Sequence, residues 1–221
     1  MNIHHTHPWP RTTEEAIAIQ NTLRASVITE DRLGIVHHVA GLDVGFEQQN
    51  TIVRAAVAVL SFPGLKLVDH AIARLPVTFP YIPGLLSFRE IPALLEALKL
   101  LTIEPDLFLV DGQGIAHPRR IGIASHLGVL TDMPAIGVAK SILVGRHAEL
   151  SQQRGAHTPL IHRGEIIGVA LRTRANISPV YISPGHRISL STAIHYVMAC
   201  TTKYRLPETT RHAHRLASTL K

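Results

Sequence analysis

Apolar and polar positions change rhythm along this chain, and the changes predict its elements. Near the start, Ala16, Ile19, Leu23 and Val27 recur at steps of three and four, one face of a helix over about Thr13–Val27. Thr12 and Glu15 stand ahead of it at capping-box spacing. Three strand-like runs follow, Val36–Glu47, Thr51–Phe62 and Lys66–Thr78, joined through GFEQQN and SFPGLK. Joins that short and that rich in polar, Gly and Pro residues predict consecutive antiparallel hairpins. The middle run, TIVRAAVAVLSF, is too continuously apolar for a sheet wet on one side, so both of its faces should be covered.

The rhythm then shifts. PYIPGLLSFREIPALLEALKLL predicts a Pro/Gly loop running into a helix with Leu94, Leu95 and Leu98 on one face. LFLV, closed by Asp-Gly, reads as a buried parallel strand, QGIAHPRR as a loop, IGIASHLGVL as a helix and PAIGVAK as a second buried strand. A further strand pair is expected around Thr158–Arg172 and Val180–Ser183, then a helix over Ser189–Lys203 before a basic, His-bearing tail. The fold class is therefore α/β and ribonuclease H-like: a mixed central sheet, antiparallel in its first three strands and parallel afterwards, flanked by helices. His4, His5 and His7 lie beside Pro8 and Pro10, which favour irregular backbone. Residues 1–11 are expected as a flexible tail, and 12–221 as a single catalytic domain.

Composition narrows the function. The chain has 221 residues, 46% of them hydrophobic, which excludes global disorder. No run approaches 18 apolar residues, so no membrane span is expected, and Met1–Arg11 lacks the apolar core of a secretory signal. Cys200 is the only cysteine, which excludes an intrachain disulfide and any zinc site with two thiolates and fits a reducing compartment. A cytoplasmic monomer is the expectation. The formal charge of +6 favours acidic partners such as nucleic acid.

Against only 16 acidic residues, two carboxylates stand out because their neighbours are apolar. Asp43 lies within VAGLDVGF and Asp111 ends LFLVDG, at the C-terminal edge where parallel sheets carry their sites. Glu90, in LLSFREIP, is the third candidate. Each has a plainer reading: Asp43 bonded to backbone near a strand end, Asp111 in an Asp-Gly turn, Glu90 closing a capping box with Ser87. If the strands bearing Asp43 and Asp111 are neighbours and a helix brings Glu90 to them, the three cannot share an apolar cleft without a cation. All-oxygen ligands select Mg²⁺ or Mn²⁺ over Zn²⁺, and carboxylate-held Mg²⁺ serves phosphate chemistry. Arg89, His117, Arg119, Arg120 and Lys140 supply cations that suit a phosphodiester backbone.

GLDVGF, PYIPGLLSFRE, LFLVDGQGIAHPRRIGIASHLGV and IGVAKSIL, in this order and spacing, closely resemble the endonuclease V family, over about Asp43 to His214. The resemblance implies a ribonuclease H-like fold and a nuclease that uses Mg²⁺, with Mn²⁺ as a substitute. It implies recognition of deaminated bases in DNA, chiefly deoxyinosine, and cleavage of the second phosphodiester bond on the 3′ side, leaving 3′-hydroxyl and 5′-phosphate ends. By the same resemblance Asp43, Glu90 and Asp111 are metal ligands, and Pro80, Tyr81, Ile82 and Pro83 form a wedge that fills the space of a displaced base. Gly84, Leu85, Gly112 and Gly137 belong to the lesion pocket, with Arg89, His117 and Arg119 also on the DNA-binding side. Lys140 and His214 are basic catalytic residues, although His212 leaves the choice of histidine open. An endoribonuclease acting on inosine in RNA, and a non-catalytic nucleic-acid-binding module, are the alternatives.

Overall fold

The computed structural model describes residues 4–218. Its centre is one eight-stranded sheet in the order β3-β2-β1-β4-β5-β8-β7-β6. Strands β1 (His38–Glu47), β2 (Ile52–Ser61) and β3 (Leu67–Pro76) are antiparallel neighbours. Strands β4 (Leu107–Val110) and β5 (Ala135–Ala139) then add parallel to β1, as expected. The far edge departs from a simple parallel continuation, because β8 (Val180–His186) runs antiparallel to β5. The segment expected as one strand over 158–172 is two, β6 (His157–His162) and β7 (Glu165–Leu171). Arg163 and Gly164 turn between them with φ of 56° and 81°, two successive left-handed residues that suit a tight hairpin turn.

The two sheet faces are covered by different helices. Alternate β1 residues Ala40 and Leu42 pack under α2 (Leu86–Lys99) and α3 (Ile123–Thr131). Val39, on the opposite face, joins a second core with α4 (Leu190–Ala199) and α5 (Glu208–Ala217). The continuous apolarity of β2 follows from this, since Val57 and Val59 face the first layer while Ala58 and Leu60 face the second.

The first helix, α1 (Thr13–Leu23), starts on the expected capping box: Glu15 N–H donates to Thr12 Oγ1 at 3.2 Å and Thr12 N–H to Glu15 Oε2 at 3.3 Å. It ends four residues before Val27, tightening into a 3₁₀ turn over Arg24–Ser26. Residues 4–10 carry no helix or strand, but they lie against the domain. The His4 and His5 N–H groups both donate to Leu130 O, and His7 Nε2 sits 2.9 Å from Nε2 of the buried His126. The first three residues of the expected tail, and the last three of the chain, lie outside the described residues. Within the basic segment expected as a tail after Lys203, Glu208–Ala217 is helix α5. No helix among the described residues is long and apolar enough to cross a membrane.

Candidate active site

Parallel pairing aligns Leu42 with Val110, so the next residues, Asp43 and Asp111, emerge side by side. The register is tied by Asp111 N–H donating to Leu42 O at 3.0 Å. Helix α5 crosses the same edge at unusually close range. Its buried stripe is small, Thr209, Thr210, Ala213 and Ala217, and β1 meets it with Gly41 and Gly45. A Cβ on Gly41 would stand 2.0 Å from Thr209 O, so only glycine permits this approach. The contact carries His214 onto Asp43, where its Nδ1 donates to Oδ2 at 2.7 Å. His212, two residues away and so roughly 200° round the helix, does not reach the site; His214 is the histidine at the acids.

One ligand atom each from Asp43, Asp111 and His214 lies within 4.8 Å of the others. Lys140, just past the end of β5, hydrogen-bonds Asp111 through Nζ. Glu90, one turn into α2, stands outside that set of three but inside its electrostatic field. Burial, then the charges of Asp43 and Asp111, push its carboxyl up to about 8. Burial and then Asp111 likewise raise Asp43. Glu90 closes no capping box: Ser87 lies inside α2, and its hydroxyl pairs with His126 Nδ1 at 3.0 Å. Burial and neighbouring negative charge thus favour the protonated form of Glu90 and of Asp43, and a cation at this edge would relieve both. Asp43 and Asp111, with the Glu90 carboxylate behind them, are an oxygen donor set that fits a hard divalent cation, and His214, its Nδ1 committed to Asp43, stands beside it.

A cavity of about 180 Å³ opens beside the acids. Glu90 and Asp111 line one wall, Gly112, Gln113 and His117 another, and Tyr81, Pro83 and Gly84 the mouth. Tyr81 is 68% exposed, with its ring free of the core. The mouth is braced at Gly84, whose φ of +80° turns its carbonyl toward three donors: Arg119 Nη2 at 2.8 Å, His117 Nε2 at 2.9 Å and Gln20 Nε2 at 3.1 Å. His117 Nδ1 accepts the Arg119 N–H, which leaves that nitrogen no room for a proton; burial holds the imidazole down to about 4.

The remaining expected residues divide. Gly137 lies directly beneath the 112–114 loop, with Gly114 N at 2.2 Å from where a Cβ would be. Leu85 and Ile82 pack into a core cluster with Phe79 and Phe88 and do not line the cavity. Pro80 also lies off its walls. Arg89 points away from it, donating to Phe79 O and Asn50 O and lying over the Phe46 ring. Arg120 pairs with Glu165 on the β6–β7 hairpin.

The Endonuclease V family model matches residues 21–215. An Endonuclease V of Trichormus variabilis is 64% identical over 219 residues, covering 99% of each chain. The chain belongs to the Endonuclease V family. Membership makes it a hydrolytic nuclease. Solved structures agree across the whole fold. The Endonuclease V of Streptomyces avermitilis superposes with a TM-score of 0.91 at 45% identity, over 95% of this chain and 92% of that one. A Ciona intestinalis Endonuclease V, in complex with a 24mer DNA containing an inosine followed by a ribo-adenosine, superposes with a TM-score of 0.80 at 31% identity, over 92% and 95%.

Within this Endonuclease V fold, two supporting residues escaped the motif reading. Arg205 Nη2 donates to Lys140 O at 2.9 Å and Pro179 O at 2.6 Å, and so holds the strand end from which Lys140 reaches Asp111. Ser183 Oγ accepts the buried Gly114 N–H at 2.9 Å, bracing the 112–114 loop from β8. A serine at a buried strand position was the available signal for the second. Arg205 gave none, because its partners are backbone atoms.

Proposed function

We propose that the chain hydrolyses DNA at deaminated bases, chiefly deoxyinosine, with Mg²⁺ as its metal and Mn²⁺ as a substitute. The cut falls at the second phosphodiester bond 3′ to the lesion and leaves 3′-hydroxyl and 5′-phosphate ends. The observation that carries this reading is the convergence of Asp43, Asp111 and His214 beside a cavity with an exposed tyrosine at its mouth. Family membership and the inosine-containing DNA bound to the Ciona relative support it.

Asp43 and Asp111 would hold the cation, with Glu90 behind them. When bound, the cation supplies Lewis-acid stabilisation of charge on the phosphoryl oxygens and lowers the pKa of water. The protein's own groups do the rest. His214, bonded to Asp43 and exposed on its other side, is positioned to take a proton from an attacking water or to give one to the leaving oxygen. Lys140 adds fixed positive charge beside Asp111. The cavity takes the extruded base while Tyr81 fills the vacated stack, which offsets the few kcal/mol that extrusion costs.

The test is a strand-resolved nicking assay on duplex DNA with one deoxyinosine, with Mg²⁺ and with chelator. Asp43→Ala and Asp111→Ala should lose cleavage by at least about 1,000-fold while keeping measurable binding. Full activity in either variant, or in chelator, would end the assignment. A second reading, inosine in RNA, draws on the ribo-adenosine that follows the inosine in the Ciona complex. The same assay with a single ribonucleotide 3′ to the inosine separates the two. A non-catalytic binding module has no use for two convergent carboxylates with a third buried behind them.

A further inference from the structure

A second cavity, about 410 Å³, shares none of its lining with the Tyr81 pocket and reaches the acids through His214. It is walled by Tyr204, Arg205, Leu206, Arg211, His214 and Arg215, so three arginines and a histidine line it and no carboxylate does. His214 belongs both to this wall and to the group with Asp43 and Asp111. Asp111 in turn lines the first cavity. Each cavity therefore touches the hydrolytic group, the first through Asp111 and the second through His214.

The arginines are not equivalent. Arg205 is committed to the carbonyls of Lys140 and Pro179. Arg211 is paired with Glu208 at 2.6 Å, and its guanidinium lies flat against Tyr204, 3.4 Å from the ring centroid. Arg215, in the last turn of α5, has no hydrogen bond or ion pair among the described residues. Tyr204 stays 44% exposed although Arg211 takes one face and Lys203 Nζ lies 5.8 Å from the ring centroid. An aromatic ring stiffened by a stacked arginine, next to an uncommitted arginine, matches the stacking platform and phosphate contact by which proteins hold single strands without reading sequence.

We propose that this second cavity is the subsite for the nucleotide on the 3′ side of the scissile bond, the one that carries the 5′-phosphate after cleavage. Tyr204 stacks on its base and Arg215 meets its phosphate. The polarity rests on the proposed function above: with the lesion in the Tyr81 pocket and the cut 3′ to it, the strand leaves across His214.

The test pairs cleavage with binding. Wild type, Tyr204→Ala and Arg215→Gln are compared on inosine duplexes that carry either a normal or an abasic nucleotide just 3′ of the scissile bond. The same proteins are titrated with a 5′-phosphorylated single-stranded octamer and its 5′-hydroxyl twin. On the intact strand Tyr204→Ala should raise KM about 10-fold, the effect of one lost base stack. On the abasic strand it should change nothing. Arg215→Gln should erase the wild type's preference for the phosphorylated octamer and flatten the salt dependence of binding by about 0.7 of a unit slope. Equal losses for Tyr204→Ala on intact and abasic strands, or an unchanged phosphate preference in Arg215→Gln, would overturn the subsite. A wild type that binds the octamers in this Tyr204- and Arg215-dependent way but leaves inosine strands uncut would instead overturn the deoxyinosine reading and keep the nucleotide subsite.

Discussion

Replacing Gly41 by alanine probes the contact on which the site depends. The new Cβ would sit 2.0 Å from Thr209 O, 2.1 Å from Thr209 C and 2.7 Å from Thr210 N. All three are backbone atoms of α5, so no side chain can swing aside. Restoring an ordinary 3.4 Å contact moves α5 outward by about 1.4 Å. That displacement exceeds what the 2.7 Å His214–Asp43 hydrogen bond can absorb. Overpacking of this kind costs about 1–3 kcal/mol, which lowers the Tm of a domain this size by roughly 3–10 °C. Activity should fall further than stability, because a misplacement of about 1 Å in a catalytic constellation costs on the order of 100-fold. The measurements are a thermal melt and single-turnover cleavage of an inosine duplex well below the variant's Tm. Gly34→Ala is the control, since nothing lies within 4 Å of its Cβ position. If Gly41→Ala melts and cleaves like wild type, close helix–strand contact is not what positions His214.

Four further outcomes follow from the site's geometry. Tyr81→Ala should weaken binding of inosine duplex about 10-fold, one lost stack, and leave the Tm unchanged because the ring is exposed; unaltered affinity removes its wedge role. Glu90→Gln should stabilise the protein in chelator at pH 7 while impairing Mg²⁺-dependent cleavage. The folded carboxyl holds its proton up to about 8 and the unfolded one releases it near 4.5, so Glu90 loses stability as pH rises through that window, about 3 kcal/mol by pH 7. In the same variant, without that opposing trend, stability should fall below pH 6.5 at about 1.4 kcal/mol per unit for each of His117 and His126, whose burial holds them down to about 4 and about 3; urea melts across pH read both slopes, and a flat profile from pH 4.5 to 7 refutes them. Arg205→Gln should lower kcat about 10-fold with little change in KM, because the lost guanidinium bonds position Lys140 and do not bind substrate; a pure KM effect would contradict this.

Local pattern in the chain was enough for much of this. Period-two and apolar runs with short joins marked β1 to β5, since hairpin connections and buried parallel strands leave their mark within a dozen residues. The Thr12–Glu15 cap and the carboxylates at the ends of apolar strands were legible for the same reason, as each is a departure from its immediate neighbours. What lay beyond reach has no local signature. Helix α5 buries only Thr209, Thr210, Ala213 and Ala217, so no apolar stripe announces it. Gly41 looked like an ordinary strand residue, yet it sets how near α5 can come. The capping-box spacing of Ser87 and Glu90 gave way to tertiary partners, the buried His126 for one and the charges of Asp43 and Asp111 for the other. Sequence therefore determined which elements form and which acids are costly to bury. Tertiary structure alone decided which histidine meets them, because β1 and α5 are separated by more than 150 residues of chain and are brought together by packing of backbone on backbone, which no side-chain rhythm encodes.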